Sequence, residues 1–302
     1  MEGTLPPDAG GANAAGKRDP AVPILGRVLH IGTDEAGYGP LLGPLVVAGA
    51  VFDGRPRRRA EIDDSKVVYA RGGRDALAAA LGPYLRARGP VRLSALLEAH
   101  SVRGDPRDAY AWYGDVEDPV PAPGAAPRGF RRLLVNPVCE REFNAGCGEW
   151  GGKAGVLFRE TCRVVRSALA AFPEGDADVV CDKHGGRNRY AALLMAEFRP
   201  ASLITERETA ARSSYRMQLG GRSVRIRFVR RADGSDGAVA LASMAAKYVR
   251  ELFMQGFNEF FRARLDGLRP TAGYYGDGRR FLSDVEPVLG DLGGRDALVR
   301  VR

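Results

Sequence analysis

The segment 28–52, with the sequence VLHIGTDEAGYGPLLGPLVVAGAVF, limits the possible folds of this chain more than any other. Its apolar ends predict two strands joined by a glycine-rich turn, and strands so close in sequence are expected to form an antiparallel hairpin. Adjacent carboxylates, Asp34 and Glu35, stand where the first strand ends. Acids in a buried strand require compensation of their charge, and a divalent cation is the simplest compensating group. The segment therefore predicts a cation site whose other ligands come from elsewhere in the chain.

The composition is that of a soluble globular protein. Of the 302 residues, 45% are hydrophobic and 27% are charged, and a chain of this length and hydrophobic content can bury a full core. No apolar run approaches the roughly 20 residues that span a bilayer, and residues 1–26 lack the apolar region of a secretory signal, so we expect a cytoplasmic protein without membrane contact. The four cysteines have no CxxC spacing and the chain has three histidines, which favours scattered reduced thiols over a zinc site.

The charge balance favours a polyanionic partner. The formal net charge is +8, and arginine, whose planar fork suits phosphate, supplies most of the positive charge. The base composition of the gene would also place arginine where other proteins have lysine. The high arginine content therefore has two explanations, which are a nucleic-acid partner and the base composition of the gene.

Beyond the hairpin, the sequence predicts alternating helices and strands around a mixed sheet, which is an α/β fold. Residues 153–172 have apolar positions at helical spacing, and residues 236–265 predict a long helix with a face of small side chains. Residues 1–26 are predicted to form a disordered tail. Residues 103–137 show no period and are dense in Pro, Gly and Asp, which predicts a surface insertion. The aromatic residues of this insertion, expected to pack on the protein body rather than to stack on bases, are Tyr110, Trp112 and Tyr113.

Two further acids stand at positions where α/β sheets gather ligands. Asp182 ends the apolar strand ADVVCD, and Asp233 precedes the long helix, with Asp236 as its competitor. Clustered carboxylates suit Mg²⁺, and two such ions about 4 Å apart can stabilise both the attacking and the leaving oxygen of a phosphodiester. Taken singly, Asp182 also suits a turn cap and Asp233 a helix cap or loop acid.

The glycine turn decides whether the two adjacent acids can share a site. Neighbouring residues of a regular strand point to opposite faces, so Asp34 and Glu35 can converge only where the strand breaks. Gly37 and Gly39 supply this break and let backbone N–H groups approach a phosphate. With Gly43 they approximate the G-x-G-x-x-G of dinucleotide-binding folds. Gly43 comes one residue late, however, and a strand follows instead of a helix, which argues against that interpretation.

A series of motifs resembles those of the type 2 ribonucleases H, the ribonuclease HII family. GTDEAGYGPLLGP is similar to the family's G-x-D-E-A-G-R-G-P-x-x-G-P, and the tripeptide at 64–66 is similar to its D-S-K. VVCDKHGG stands where the family has a strand that ends in its third acid. RADGSDGAVALASMAAKYVRE resembles the family's K-A-D and A-A-S-I-x-A-K-x-x-R-D, in a register that selects Asp233 over Asp236. TAGYYGDGRRFL resembles H-K-G-Y-x-T-x-x-H-L and aligns Tyr274 with the family's tyrosine.

This resemblance, which runs with gaps from about residue 27 to about residue 285, implies a fold and an activity. The fold is a ribonuclease H-like mixed sheet flanked by helices, with a catalytic domain over 27–258, an insertion at about 103–150 and a C-terminal helical extension over 259–302. The activity is cleavage of the RNA strand of RNA–DNA hybrids or ribonucleotide-containing duplexes by a monomer. It uses Mg²⁺ or Mn²⁺, two ions per site, and leaves 5′-phosphate and 3′-hydroxyl ends.

The resemblance also implies roles for individual residues. The acids expected to be catalytic and to ligate the metals are Asp34, Glu35, Asp182 and Asp233. The residues expected to contact the substrate are Gly37, Tyr38, Gly39, Lys66, Arg187 and Tyr274. His184, just after the third acid, is a candidate for proton transfer or has a structural role in its turn.

Departures from the family pattern leave the substrate open. Tyr38 replaces the arginine of G-R-G, a loop that holds the strand at the ribonucleotide, so cleavage at a single embedded ribonucleotide is not implied. Two alternatives therefore stand beside the hybrid nuclease: a hybrid- or duplex-binding protein without turnover, and a DNA-junction nuclease, which needs no 2′-hydroxyl. Four mutually repelling acids near phosphates argue against a pure binding protein.

Overall fold

The computed structural model describes residues 28–56, 62–85, 89–119 and 125–301. The predicted tail at 1–26 lies outside the described residues. The strands in these ranges are β1 (Leu29–Ala36), β2 (Leu45–Asp53), β3 (Val91–Arg92), β4 (Glu117–Asp118), β5 (Phe130–Val138), β6 (Ala177–Asp182), β7 (Ser202–Glu208), β8 (Arg212–Leu219) and β9 (Arg222–Val229). The helices are α1 (Ser65–Leu85), α2 (Leu93–His100), α3 (Glu140–Glu149), α4 (Lys153–Ala171), α5 (Ala191–Phe198), α6 (Gly237–Arg262) and α7 (Tyr275–Asp284).

The main sheet has the strand order β5-β2-β1-β6-β9-β8-β7. β1 pairs antiparallel with β2 and parallel with β6, which in turn runs parallel to β9. The pairs β2–β5, β7–β8 and β8–β9 are antiparallel. The predicted hairpin and the predicted mixed sheet flanked by helices are both confirmed. β8, which the sequence did not predict, extends the sheet beyond β9 together with β7.

The long helix α6 lies directly on the centre of the sheet because small residues face each other across the contact. A Cβ atom on Gly32 of β1 would lie 2.3 Å from the carbonyl carbon of Ala238 and 2.3 Å from the amide nitrogen of Val239. Ala242 and Ala246 continue the same helix and are fully buried. The predicted small-residue face therefore brings the α6 backbone close to β1.

The opposite face of the sheet is covered by α4, which confirms the amphipathic helix predicted at 153–172. Val156, Val164 and Val165 of α4 are fully buried in a core shared with Ile31 and Val179 of the sheet. The central strands are thus covered on both faces. In the part of the chain that the structure describes, no helix combines the length and the apolar character needed to cross a bilayer.

The segment predicted as a surface insertion is partly a core element. Tyr110, Trp112 and Tyr113 are only 4%, 2% and 4% exposed, and the Tyr113 ring meets Phe253 of α6 at 5.0 Å between centroids. The expectation that these aromatics pack on the body is confirmed, whereas the expectation of a surface location is wrong here. β5 also falls in this segment and is an integral strand of the sheet. The aromatic rings supply the apolar area that the Pro- and Gly-rich flanks lack.

The C-terminal region is helical, as predicted, and consists of α7 and three short 3₁₀ turns. The predicted domain boundary at residue 258 falls inside α6, which continues without a break to Arg262. The division of the chain into a catalytic domain and an extension stays a prediction. All four cysteines are free, in agreement with the expected reduced thiols.

Candidate active site

Asp34 and Asp182 lie side by side at one end of the sheet. β1 and β6 are parallel, with Thr33 opposite Cys181, so the next residue on each strand is one of the two acids. Neighbouring strands are about 4.8 Å apart, which sets the separation of the two backbones. Asp34 is 9% exposed.

Asp233 is held near this pair by the turn that precedes α6. It lies in the 3₁₀ turn Ala232–Gly234, and the backbone N–H of Ala232 donates to Oδ1 of Asp182 at 2.8 Å. The end of β6 and this turn are thereby joined. Glu35 is close enough for the charges of both Asp182 and Asp233 to act on its carboxylate. The structure thus brings the four predicted acids to one end of the sheet.

Asp236, the competitor of Asp233, has a different position. It caps α6 by accepting hydrogen bonds from the N–H groups of Ala238 and Val239, at 3.1 and 3.3 Å. Its Oδ2 also lies 2.9 Å from Nε2 of His30, and both residues are buried. Because its oxygens are committed to the cap and to His30, Asp236 is a structural acid.

A chain of hydroxyl groups links Asp34 to the D-S-K tripeptide. The Ser243 hydroxyl of α6 lies beside the Asp34 carboxylate and partly opposes the rise of its pKa, and it donates to the hydroxyl oxygen of Ser65 at 3.0 Å. Ser65 begins α1, and the next residue, Lys66, is exposed. The positive charge of Lys66 acts on both Glu35 and Asp182, so this lysine flanks the acids.

The acids raise one another's pKa. Burial and then the charges of Glu35 and Asp182 raise the pKa of Asp34 well above its usual range. Burial and the charge of Asp182 raise the pKa of Glu35 to about 7, although Lys66 opposes the shift. The pKa of Asp182 is raised by burial and by Asp233. Like charges held this close are unfavourable without a counter-ion.

These residues fit a hard divalent cation by the chemistry of their donor atoms. The set consists only of carboxylates, which Mg²⁺ and Mn²⁺ prefer, and partial burial with mutual repulsion creates the need for positive charge. Across residues 28–56, 62–85, 89–119 and 125–301, however, no three His, Cys, Asp or Glu side chains form a ready-made ligand group. The backbones gather the acids, and the side chains would have to turn toward one another to bind an ion.

The glycine turn that follows the acids is fixed by long-range contacts. Gly37 has a φ of +85°, and a Cβ atom there would lie 2.5 Å from Nε of Arg250 and 2.5 Å from the carbonyl oxygen of Pro44. Only glycine fits such a position. The guanidinium of Arg300, which is 2% exposed, donates to the carbonyl oxygens of Gly37 and Pro40.

Arg250 of α6 and Gly273, which lies just before α7, hold the rest of this turn. Arg250 donates from Nη2 to the carbonyl oxygens of Leu42 and Ala272, at 3.2 and 3.1 Å. The N–H groups of Leu41 and Leu42 both donate to the carbonyl oxygen of Gly273, at 2.8 and 3.1 Å. The turn that would contact a substrate is therefore shaped by the C-terminal part of the chain.

A cavity of about 270 Å³ opens beside the turn. Tyr38, Gly39, Lys153, Tyr275 and Arg300 are among its lining residues. The ammonium group of Lys153 lies 5.2 Å from the centre of the Tyr38 ring, within the range of a cation–π contact. An aromatic ring with a neighbouring cation suits a nucleotide, because it offers a stacking surface beside a phosphate-binding charge.

The other predicted substrate contacts differ in exposure. Tyr274 is 56% exposed at the start of α7, where its ring is available to a ligand. The guanidinium of Arg187 lies 6.0 and 5.9 Å from the ring centres of Phe158 and Tyr190. Its charge also acts on Tyr38, so Arg187 lies on the same side as the turn.

His184 does not meet the requirements for proton transfer. It is 5% exposed and lies in an aromatic cluster, 5.5 Å from the ring centre of Phe228 and 6.0 Å from that of Tyr190. Burial and the charge of Arg187 lower its pKa to about 3, so the ring is neutral near pH 7. Its Nε2 lies 3.2 Å from the hydroxyl of Thr161. Of the two predicted roles, the geometry favours the structural one.

The family model described as Ribonuclease HII matches residues 31–98 of this chain. Curated proteins named ribonuclease HII match short stretches of this chain. The protein from Xanthomonas oryzae pv. oryzae is 52% identical over 44 residues, which are 15% of this chain and 18% of the relative. That of Xanthomonas axonopodis pv. citri is 51% identical over 53 residues, 17% of this chain and 21% of the relative. These matches show that a segment of this chain is similar to ribonuclease HII.

The matched segment contains the first two acids, the glycine turn and Lys66, and excludes Asp182, Asp233 and Tyr274. The chain aligns with about a fifth of the length of these curated relatives.

Several solved structures align with most of this chain at low sequence identity. A chain of the PCNA:RNase HII complex from Archaeoglobus fulgidus is 18% identical, with a TM-score of 0.47, covering 91% of this chain and 95% of that one. Bst-RNase HIII in complex with Mn²⁺ is 18% identical, with a TM-score of 0.49, covering 96% of this chain and 72% of that one.

Sequence patterns missed the residues that support the acids and the turn. Ser243 and Arg250 both lie inside the segment that resembles A-A-S-I-x-A-K-x-x-R-D, but the motif alone gives neither of them a role, and the position of Ser243 beside Asp34 follows from the docking of α6 on β1. Arg250 and Arg300 act on backbone carbonyls, which carry no side-chain signature. A basic residue that is buried is the signal that could have identified them, and burial is not readable from a single sequence.

Proposed function

We propose that this chain is a metal-dependent endoribonuclease that hydrolyses the RNA strand of RNA–DNA hybrids. The observation that carries the proposal is the gathering of four carboxylates at one sheet end, beside a glycine turn whose segment matches the ribonuclease HII family. The basic charge of +8 is consistent with a polyanionic substrate.

The acids have the central role in this proposal. The carboxylates that would ligate the metals are those of Asp34, Glu35, Asp182 and Asp233. They would hold Mg²⁺ or Mn²⁺, two ions per site, and ions bound in this way activate the attacking water and stabilise the leaving 3′ oxygen. The products would carry 5′-phosphate and 3′-hydroxyl ends. Ser243, which lies beside Asp34, would help to hold the Asp34 carboxylate in place.

The remaining predicted residues would bind and orient the substrate. Backbone groups of Gly37 and Gly39 would contact the strand near its 2′-hydroxyl, the group that distinguishes RNA from DNA. Tyr38 would offer its ring to a base or sugar. Lys66 would hold a phosphate beside the acids, and the exposed ring of Tyr274 would stack on a sugar or base. Arg187 would add a phosphate contact next to the turn. We expect the protein to act as a monomer.

The decisive experiment is a substrate panel with a charge-neutralised acid. The full chain is incubated with an RNA–DNA hybrid, a duplex with one embedded ribonucleotide, a DNA duplex and branched DNA, in Mg²⁺ and then in Mn²⁺. Hybrid cleavage that is lost in Asp34→Asn and retained in Asp266→Asn, an exposed acid outside the site, is the expected result.

Each other outcome selects a different function. Binding without cleavage of any substrate would establish a hybrid-binding protein, which is the alternative that Tyr38 motivates. Cleavage of branched DNA alone would establish a junction nuclease.

A further inference from the structure

One face of the sheet extension β7–β9 is lined with arginines. Residues 224, 226 and 228 of β9 point into the core shared with α4, so Arg225 and Arg227 point to the opposite face, the side of the sheet on which α6 lies. On β8, Tyr215 and Met217 are buried in the same core, so the alternate side chains again point the other way. We call this surface the arginine face, and its arginines are Arg207, Arg212, Arg216, Arg225 and Arg227.

The arginine face carries more positive charge than its carboxylates compensate. Glu206 lies 2.9 Å from Arg216 and 2.8 Å from Arg225, and Asp178 pairs with Arg227. Arg207 and Arg212 form no ion pair with an Asp or Glu among the residues that the structure describes.

The strand register places these arginines close together, because Ser214 of β8 is opposite both Arg207 of β7 and Arg227 of β9. Burial is the main cause that lowers the pKa of Arg212, and the charges of Arg227, Arg225 and Arg207 lower it further, although the charge of Glu206 opposes them. Nε of Arg212 donates to the hydroxyl of Ser214 at 3.1 Å, which fixes the guanidinium among like charges. Such a cluster is unfavourable by itself and becomes favourable when an anion binds.

The arginine face is continuous with the acid site. Asp182 of β6 is opposite Val229 of β9, and Val229 is opposite Arg212 of β8. With neighbouring strands about 4.8 Å apart, the backbone of Arg212 is roughly 10 Å from that of Asp182. That distance corresponds to roughly three base-pair steps of about 3.4 Å along a duplex.

The face also extends away from the acids. Arg216 lies four residues beyond Arg212 on β8 and pairs in register with Arg225. At about 3.4 Å per residue, the arginines cover roughly 13 Å along the strand. A row of arginines of this length, beginning beside the acids, matches a chain of phosphates and exceeds a single bound anion.

We propose that the arginine face binds the phosphate backbone of the nucleic-acid duplex beside the bond that the acid site cleaves. This inference rests on the proposed function for the position of the scissile bond, and the charge of the face identifies the ligand as a polyphosphate backbone. Lys66 flanks the acids at α1, so the substrate would be held by positive charge at more than one point around the site.

The test is the salt dependence of duplex binding. Arg207→Ala/Arg212→Ala is built in an Asp34→Asn background, which prevents turnover, and compared with the same background and with Arg132→Ala, an exposed arginine of β5 at the opposite edge of the sheet. Binding of a hybrid and of a DNA duplex is measured by fluorescence anisotropy over a range of salt concentrations. Arg207 and Arg212 are chosen because their removal leaves no described carboxylate unpaired.

Each lost phosphate contact lowers the slope of log K against log salt by about 0.9, so the double variant should lose about 2 from the slope. Arg132→Ala should keep the slope, and Arg207→Lys/Arg212→Lys should recover most of it because the charge is kept. Thermal unfolding of all variants verifies that the fold is intact. Equal slopes for the double variant and Arg132→Ala would overturn the inference.

This result is independent of the outcome of the cleavage panel. A reduced slope combined with no hybrid cleavage by the wild-type protein would reject the nuclease and retain the arginine face as a duplex-binding surface. Hybrid cleavage combined with an unchanged slope would reject the arginine face alone.

Discussion

The close approach of α6 to Gly32 of the sheet gives a prediction that separates stability from catalysis. In Gly32→Ala, the new Cβ would lie 2.3 Å from backbone atoms of Ala238 and Val239. Ordinary contact between such atoms begins at about 3.5 Å, so α6 must move away from β1 by roughly 1 Å. The obstacle is helix backbone, which cannot turn aside as a flexible side chain would.

Two quantities should change in this variant. Overpacking of a close contact costs about 1–3 kcal/mol of the free energy of unfolding. The shift also separates Asp34 on β1 from Ser243 on α6 and moves the turn that carries Asp233. Because a displacement of about 1 Å can reduce a rate by about 100-fold, hybrid cleavage should fall far more than the loss of stability explains.

Gly49→Ala is the matched control on the neighbouring strand. Gly49 pairs with Thr33, and its added Cβ would lie 2.6 Å from Cγ1 of Val164, a side-chain atom of α4. The variant should also be destabilised, by about 1 kcal/mol, while α6 and the acids keep their positions. Urea unfolding and single-turnover cleavage of a hybrid are measured for both variants. Wild-type cleavage by Gly32→Ala, or an equal loss of rate in both, would refute the reasoning.

Two further predictions concern the acids and the turn. The free energy of unfolding of the metal-free protein should decrease by on the order of 1–3 kcal/mol as the pH rises through the interval between 4.5 and about 7, because the pKa of Glu35 is higher in the folded chain and protons therefore stabilise it. Urea unfolding at several pH values should show a flatter dependence in Glu35→Gln, and an unchanged dependence would contradict the assignment. Arg300→Met should raise KM for a hybrid more than it lowers kcat, since the carbonyl groups of Gly37 and Pro40 lose their donor at a cost of about 1–3 kcal/mol in stability. Arg300→Lys should restore part of the KM, whereas a loss confined to kcat would exclude a positioning role.

Local sequence patterns predicted the elements whose signal is local. The apolar runs identified the hairpin because its strands are buried on both faces. The spacing of small residues identified α6 because one stripe of that helix packs on the sheet. β8 gave little signal, since its core-facing positions begin with Ser213 and are large only at Tyr215, Met217 and Leu219. Its alternate positions are polar because they form the arginine face.

Non-local contacts account for the rest. The burial of Tyr113 depends on Phe253, a residue of α6 that no local pattern connects with it. Likewise, Arg300 has its role only through the carbonyl groups of the turn. The positions of three acids at strand ends and of Asp233 ahead of α6 could be predicted, whereas the place of Ser243 beside Asp34 required the docked helix.

The parallel pairing of β1 with β6 has a consequence for how the site forms during folding. Asp34 and Asp182 become neighbours only after the chain between residues 36 and 177 has closed a long loop, and such non-local pairing is slow because its entropic cost precedes its contacts. Asp233 and Ser243 join later still in the order of synthesis. A nascent chain that has emerged only through β6 would carry three of the acids without the helix that seats the first. The assembled acid site is therefore a late marker of folding, absent from partly made chains.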